Sequence, residues 1–471
     1  MEERKGFGTN FGFLMASVGS AVGLGNIWGF PNKMGASGGF TFLIVYLVLA
    51  VLCGFIVMVS ELALGRKTGK GVVSAYQALS KRFKWVGWLG ILSPFFILFF
   101  YCALGGYCIK YTILNIGDLF HASFGANALA ETAVANGHSL GAEVFGTFMA
   151  NPTEAVIFGL IFVALTMLIV MGGVSGGIEK VCSVGMPALF VMLLICIIRA
   201  CTLEGAVDGL KYMFVPGWAV ANGVIDKEPN FFGVLSAAGG QMFFSLSLGM
   251  GIMITYGSYL DKKENLQKNA LLIIVMDTLV ALMAGGPKLL FVTMQNVFSR
   301  MGPIGPIFGI LFYLLVVFAA ISSSISLLEA VVAHFVDNAR DAGKGDKRKA
   351  YALIGAVAVG VGAMLICADS LGDASFTPWR LLNLPAESIR TWNDCWLDFF
   401  DMLSEGIMMP LGALMMTLMV GWELGPDVVK EECEASGHAM ASYGFYKVCI
   451  KYITPLCMIL VLYGQIKEFF F

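Results

Sequence analysis

The sequence predicts an all-α polytopic membrane protein, an inverted repeat of five plus five transmembrane helices with helices 1 and 6 broken, followed by an eleventh helix. Three observations carry that prediction. Hydrophobic residues make up 58% of the 471-residue chain and charged residues 13%, with a mean hydropathy of +0.80, a balance foreign to water-soluble globular domains. Apolar stretches of ~20 residues, each enough to cross a bilayer, recur about eleven times. Two of these stretches, one in each half, are interrupted near their middles by glycine-rich polar runs.

The first span, Phe7–Phe30, contains the run Gly19-Ser20-Ala21-Val22-Gly23-Leu24-Gly25-Asn26. It follows Glu2-Glu3-Arg4-Lys5 but is not expected to be a cleaved signal, because its core is long and polar in places and it leads through Pro31 into another span. Phe40–Leu64, Trp88–Leu114, Pro152–Met171 and Val181–Cys201 complete the first five (7–201). The sixth, Phe231–Tyr259, holds the second run, Gln241 to Gly251, and is followed by Ala270–Phe291, Ile304–Phe335, Ala350–Cys367 and Ile407–Trp422 (231–422). Phe445–Gln465 is the extra helix, and the whole chain 1–471 reads as one membrane domain. Lipid offers no water to satisfy unwound backbone, so a broken helix there must line a cavity or bind something. A broken helix at the head of each five, entering from opposite faces, is the pattern of an inverted-repeat secondary transporter.

Basic residues gather at Arg4-Lys5, Arg66 to Lys84, Lys262 to Lys268 and Arg340 to Lys349, which are alternate loops. The positive-inside rule therefore places the N-terminus in the cytoplasm of a multi-pass protein of the cell's inner (plasma) membrane. The opposite loops include 117–151, expected to hold a short amphipathic helix, then 203–230 and 371–398. The net charge of −2 and the topological placing of the basic clusters argue against nucleic-acid binding. The eleven cysteines show no paired spacing and read as small packing residues.

Ser20 to Trp28 followed by Phe30-Pro31 resembles the signature of the neurotransmitter:sodium symporter family. Gly65-Arg66, Phe244 to Gly249 with Thr255-Tyr256, and Ala319 to Ser324 match it further, and the resemblance extends over essentially the whole chain of what looks like a prokaryotic member with about eleven spans. The glycines of the first run have a plainer reading as helix-packing residues. That reading leaves Asn26 at mid-membrane and the second run unexplained.

The resemblance implies one sodium site from the Ala21 carbonyl, Asn26, Ser245 and Asp277, completed by a substrate carboxylate. It implies a second from the carbonyls of Gly19, Val22 and Ala319 with the hydroxyls of Ser322 and Ser323. Carbonyl and hydroxyl oxygens suit a hard cation, although the serines have an alternative in bonding back to their own helix. Asp277 departs from the neutral amide common in the family. Nine residues past Lys268, it lies ~14 Å along a helix, near the bilayer centre, where a carboxylate is a functional hypothesis by default. An ionised Asp277 is expected to ligate sodium and remove the need for chloride, leaving Tyr46 and Gln241 as remnants of a chloride site, while Ala281 adds no charge. The plainer alternative is a protonated acid bonded to a neighbouring helix.

Gly23 stands where amine-transporting relatives carry an acid, so the resemblance implies a substrate that brings its own carboxylate to Tyr101 and the N–H groups of Leu24 and Gly25. Ala21, Gly23, Phe243, Phe244 and Ser245 are expected around it, and Ile97, Phe244, Ser247, Met250, Ser323 and Leu327 are expected to line an uncharged side-chain pocket. Arg4 and Asp337, with Tyr259 nearby, match the family's cytoplasmic gate. On the other side Gly29 replaces the usual arginine, leaving closure to Phe244 and Tyr101 and leaving Asp398, Asp401 and Glu405 without a partner by that route. The expected function is sodium-coupled import of a neutral, hydrophobic L-amino acid, independent of chloride and of any cofactor beyond the coupling sodium ions, with lipid and substrate as the only other partners. A passive solute channel and a non-transporting scaffold of the same fold are the alternatives. An enzyme is not expected, because His121, His138, His334 and His438 form no metal spacing and no Ser/His/Asp set converges.

Overall fold

The structure is a computed structural model and describes residues 6–202, 205–283, 289–372, 376–383 and 393–470. The first expected span is two helices, α1 (Asn10–Ala21) and α2 (Gly25–Ala36), bent by 41° at the break. Seven of the eight helices long and apolar enough to cross a membrane match expected spans closely or with extended ends: α3 (Phe40–Thr68), α4 (Val86–Leu119), α5 (Pro152–Met171), α6 (Val174–Ala200), then α10 (Gly302–Asp341), α11 (Arg348–Gly372) and α13 (Tyr443–Lys467). The eighth, α12 (Trp396–Leu424), begins well before its expected start because polar Asp398, Asp401 and Glu405 sit inside it.

The second expected break separates α7 (Phe231–Ser245) from α8 (Ile252–Gly257). By length and composition the described residues give eight spans, or nine with the bent pair, so the expected eleven is not reached on that measure. The reason is local. The second break runs through 246–251, too wide for either half to count as a span. α9 (Leu266–Met283) is only 18 residues long and carries Gln267, Lys268, Asn269 and Asp277. Residues 284–288, in the second half of the expected 270–291 span, lie outside the described residues.

Helix ends follow the chemistry of their capping residues. Thr9 opens α1 by accepting the Gly12 N–H on its hydroxyl at 2.9 Å, and Asn151 opens α5 ahead of Pro152. Gly69, at φ +61°, closes α3 with its N–H on the Gly65 carbonyl. The expected short helix between α4 and α5 is present as Ala130–Ala135 and Leu140–Met149, preceded by a 3₁₀ turn.

Ile354, Val357, Val361 and Met364 on α11 and Ile157, Leu160, Ile161, Leu165 and Leu168 on α5 are exposed. They repeat at three- and four-residue intervals, an apolar face suited to lipid rather than water. The inward faces of α1, α4, α7 and α10 are buried around the breaks. The eleven cysteines are all free, and most are packed in the interior.

Candidate binding site at the two helix breaks

The two breaks face each other. α1 stops because Val22 turns extended (φ −75°, ψ 102°), and the next amides, of Asn26 and Ile27, return to the Gly23 carbonyl at 3.2 and 3.3 Å. In the second break Ser247, Gly249 and Gly251 take positive φ of 54°, 74° and 71°. For Ser247 this left-handed turn is strained, at a cost of ~1–3 kcal/mol that persists only where surroundings enforce it. Those surroundings are visible: the Ser247 hydroxyl donates to the Ser20 carbonyl at 2.9 Å. The Gly249 N–H donates to buried Glu61 at 2.8 Å, and the Leu248 N–H bonds Phe243 O. Glycine is required at 249, where a Cβ would stand 2.3 Å from the Met409 carbonyl oxygen.

Asn26, Ser245 and Asp277 meet where the breaks cross. The Asn26 Nδ2 group donates to Asp277 Oδ1 at 2.7 Å, to the Asp277 carbonyl at 3.0 Å and to Ser245 Oγ at 3.1 Å. Ser245 Oγ lies 3.0 and 2.9 Å from the two carboxylate oxygens, and Tyr46 donates to Oδ2 at 3.2 Å. All of these side chains are buried. An amide N–H₂ carrying partial positive charge therefore sits at a point onto which three oxygens converge. The described hydrogen-bond partners of the carboxylate are neutral, and a buried anion without a counter-charge is costly. The chemistry of the cluster calls for a cation or a proton. Gln241, one of the two expected chloride-site remnants, instead donates to the Gly25 carbonyl at 2.8 Å and leaves its own Oε1 without a hydrogen-bond partner.

The second expected ion set is also brought together. Ser323 Oγ reaches the Gly19 carbonyl at 3.1 Å and the Val22 carbonyl at 3.4 Å, so the hydroxyl links α10 to the end of α1. Ser322 takes the plainer arrangement, bonding back to Ala319 O at 2.9 Å. A Cβ on Gly19 would stand 2.9 Å from Ser322 Cβ, which shows how closely the two helices approach.

Beside these sets lies a cavity of about 20 Å³ lined by Ser20, Ala21, Gly23, Gly25, Ile97, Tyr101, Phe244, Ser247, Met250, Ser323 and Leu327. No charged side chain lines it. Leu24, Phe243 and Ser245, also expected here, are buried behind its wall. Leu24 takes part through its backbone, donating its N–H to Tyr101 Oη at 2.9 Å. A Cβ on Gly23 would stand 2.3 Å from both Tyr101 Oη and Ser323 Oγ, and one on Gly25 would stand 2.8 Å from Phe244 Cδ1. Any side chain at these two positions therefore has to displace Tyr101, Ser323 or Phe244. The volume admits little more than one water-sized group, so a larger side chain requires Met250 and Phe244 to swing aside.

Ser20 is a lining residue that the sequence reading missed. Its hydroxyl lies 2.7 Å from Ser326 Oγ and 3.3 Å from Ser247 Oγ, and its place inside the first polar run was the available signal.

At the end of the bundle carrying the basic loops, Asp337 accepts the Gly71 N–H at 2.9 Å, while Arg4, its expected partner, lies outside the described residues. Tyr259 donates to Glu329 Oε1 at 2.6 Å, and Glu329 is ion-paired with Arg348. Glu179 accepts from Gly8 N, Thr9 N and Thr9 Oγ1 at 2.7, 3.1 and 2.9 Å, pinning the start of α1 to α6. Glu329, Arg348 and Glu179 were not anticipated. Glu329 inside an apolar helix was their one legible signal. At the opposite end Glu405, left without a partner by the arginine route, is ion-paired with Lys33. Among the described residues no three His, Cys, Asp or Glu side chains gather as they would for a transition metal.

Comparison with known proteins adds four findings. The model of the Sodium:neurotransmitter symporter family matches residues 4–127, 149–285 and 281–377. The chain is 30% identical to the uncharacterised sodium-dependent transporter YhdH of Bacillus subtilis, over 96% of both proteins. It is 29% identical to the uncharacterised sodium-dependent transporter MJ1319 of Methanocaldococcus jannaschii, over 91% of this chain and 84% of that one. Among solved structures it is similar to that of MhsT in complex with L-phenylalanine, with a TM-score of 0.82 and 30% identity over 98% of this chain and all of the other.

Proposed function

The chain belongs to the sodium:neurotransmitter symporter family, and on that premise we propose that it imports a neutral, hydrophobic L-amino acid with sodium, by alternating access and without chloride. It is a multi-pass membrane transporter rather than an enzyme, and sodium is its coupling ion. The observation that carries the finer reading is the Asn26–Ser245–Asp277 cluster beside a cavity with no charged wall.

Sodium is a hard cation that takes oxygen ligands. The oxygens now facing Asn26 Nδ2 supply them; Asn26 Oδ1 accepts the Gly23 N–H at 2.9 Å and joins as a further ligand only when a turn of the amide gives up that bond. Ala21, at the end of α1, contributes its carbonyl. Asp277 then serves twice: its carboxylate neutralises the ion, and by accepting from Tyr46 and Ser245 it takes the donors that a chloride would otherwise need. The second ion lies between Gly19, Val22, Ala319, Ser322 and Ser323, tying the end of α1 to α10. A substrate carboxylate meets the Tyr101 hydroxyl and the amides at the first break, where half-helix ends favour an anion. Its ammonium group faces the main chain between Phe243 and Ser245. The side chain enters between Ile97, Met250 and Leu327, and the phenylalanine bound by the structural neighbour MhsT supports this apolar class. Arg4, Asp337 and Tyr259 act as the cytoplasmic gate, and Phe244 and Tyr101 cover the substrate from outside.

The test is uptake of labelled L-phenylalanine by proteoliposomes, challenged with each standard amino acid. An inward sodium gradient drives uptake, replacement of chloride by gluconate leaves the rate unchanged, and Asp277→Ala abolishes uptake while the protein still inserts. A strong fall in gluconate, or full activity of the alanine variant, removes the role assigned to Asp277.

A further inference from the structure

We propose that the groove between α4, α10 and α11, at the end of the bundle carrying the basic loops, is a binding site for an anionic phospholipid. One acyl chain lies in the groove and the phosphate rests on the lysines at its mouth. The groove is a cavity of about 370 Å³, within the ~300–1,000 Å³ range of small-molecule sites. Its walls come from three helices at matching depth. α4 presents Trp88, Leu92 and Phe95, and α11 presents Tyr351, Gly355 and Ala358, each set spaced by three or four residues along one helix face. α10 supplies the floor through Phe335 and the buried Val331. No charged side chain lines the groove.

The shape has a cause in the sequence. Gly355 and Ala358 give α11 no bulk opposite the large side chains of α4, so a hollow stays open where larger residues would have filled it. Aromatic pairs seal the seams on both sides of the floor: Trp88 packs on His334 of α10 at 5.2 Å, and Phe335 packs on Tyr351 at 5.8 Å. The remaining seam, between α4 and α11, opens outward, where Trp88, Leu92 and Ile354 are exposed. From Trp88 to Phe95 is ~10 Å along a helix, so the groove takes the outer part of one leaflet, itself ~15 Å deep. An apolar hollow on a lipid-facing surface is filled by hydrocarbon rather than by water. Trp88 and Tyr351 stand near their helix ends, the level at which such rings anchor among head groups.

Charge selects the head group. Lys84 precedes Trp88 by four residues and Lys347 precedes Tyr351 by four, so each wall carries a lysine about one turn before its interfacial ring. Lys84, Lys347 and Lys349 are exposed, and among the described residues they have no ion-pair partner. The charges around them are already engaged, Asp346 by Arg340 at 3.9 Å and Arg348 by Glu329. Lys347 and Lys349 also border an open recess of about 1070 Å³, which gives a head group room. A zwitterionic head group brings its own cation to these lysines and gains little. An anionic one is attracted, as at other basic pockets between helices at this level.

The experiment places the full chain in phosphatidylcholine nanodiscs and titrates in phosphatidylglycerol or phosphatidylcholine brominated on the acyl chain near the head group. Quenching is read as the difference in tryptophan emission between the parent and Trp88→Phe, which isolates the ring in the groove. No substrate is involved, so the outcome is independent of the transport reading. Brominated phosphatidylglycerol quenches Trp88 half-maximally at a ~10-fold lower lipid fraction than brominated phosphatidylcholine. The triple variant K84Q, K347Q and K349Q, altered only at exposed positions, loses that preference. Ala358→Phe, which fills the hollow from α11, loses it as well at an unchanged melting temperature; should that variant not fold, the lysine variant alone decides. Equal quenching by the two lipids makes the contact ordinary annular lipid and overturns the proposal, as does a preference that survives the triple variant. Trp88 left unquenched by both lipids, with dimers captured by cross-linking, gives the groove to a second copy of the chain and overturns it too.

Discussion

Tyr101 shows how much one side chain contributes at this site. Its oxygen accepts the Leu24 N–H inside the first break, and its own O–H is left to face Ser323 or a substrate carboxylate. Tyr101→Phe strands a buried amide donor, at a cost of ~1–3 kcal/mol, and removes one donor to the substrate. We expect KM to rise by ~10-fold or more, since 1.4 kcal/mol is tenfold, with protein yield largely retained; unchanged KM in proteoliposome uptake would falsify the assignment. At this scale the sequence was informative wherever a polar or glycine residue stood against apolar neighbours. Asn26 and Asp277 were picked out in that way, whereas Ser323 came from the family resemblance. It was silent on Lys33, an ordinary basic residue near a helix end until Glu405, 372 residues away, is seen beside it. Ser20 was passed over because its hydroxyl partners, Ser247 in the second break and Ser326 on α10, come from distant parts of the chain.

The helix breaks are properties of whole elements, and they set the stiffness of the site. Gly249 combines φ +74° with a Cβ position 2.3 Å from the Met409 carbonyl oxygen. Gly249→Ala therefore meets both backbone strain and a backbone clash. An unstrained glycine exchange stabilises by up to ~1 kcal/mol, whereas this one destabilises by more than that, and movement between α7, α8 and α12 has to absorb it. The expected result is a drop of several degrees in melting temperature in detergent, together with weakened sodium protection. A Gly249→Ala protein with parental melting would show that the second break tolerates a side chain. Positions of spans were legible from apolar runs, because lipid forces every backbone group into helix hydrogen bonds. Their ends were less so: α12 starts early because its polar first turns are buried against other helices, which local hydropathy does not register. The three-fold capping of Glu179 on the start of α1 likewise joins residues some 170 positions apart.

For the molecule as a whole, the energetic consequence is concentration against a gradient. Each sodium crossing down 100 mV releases ~2.3 kcal/mol, so the two sodium ions proposed per substrate would support accumulation beyond ~10³-fold. Dissipating the sodium gradient with an ionophore should collapse accumulated phenylalanine to the external level. Retention of the label after that treatment would rule out sodium as the driving ion. The architecture that permits such coupling, two broken helices whose breaks meet with candidate ion ligands on both, was legible as a pattern in each half of the chain. That the two breaks touch through Asn26–Ser245, Gln241–Gly25 and Ser247–Ser20 was not.

The sequence by itself determined the membrane class, the positions of most spans and the two breaks, whereas the candidate cation ligands came only from the family resemblance. The first three follow from local composition, because a lipid solvent penalises every unwound or polar residue that has no purpose there. Tertiary structure alone decided which charges pair: Lys33 with Glu405, Glu329 with Arg348, Glu179 with the start of α1. Charge attraction depends on distance in space and exclusion of water, and neither is written in the order of residues along the chain.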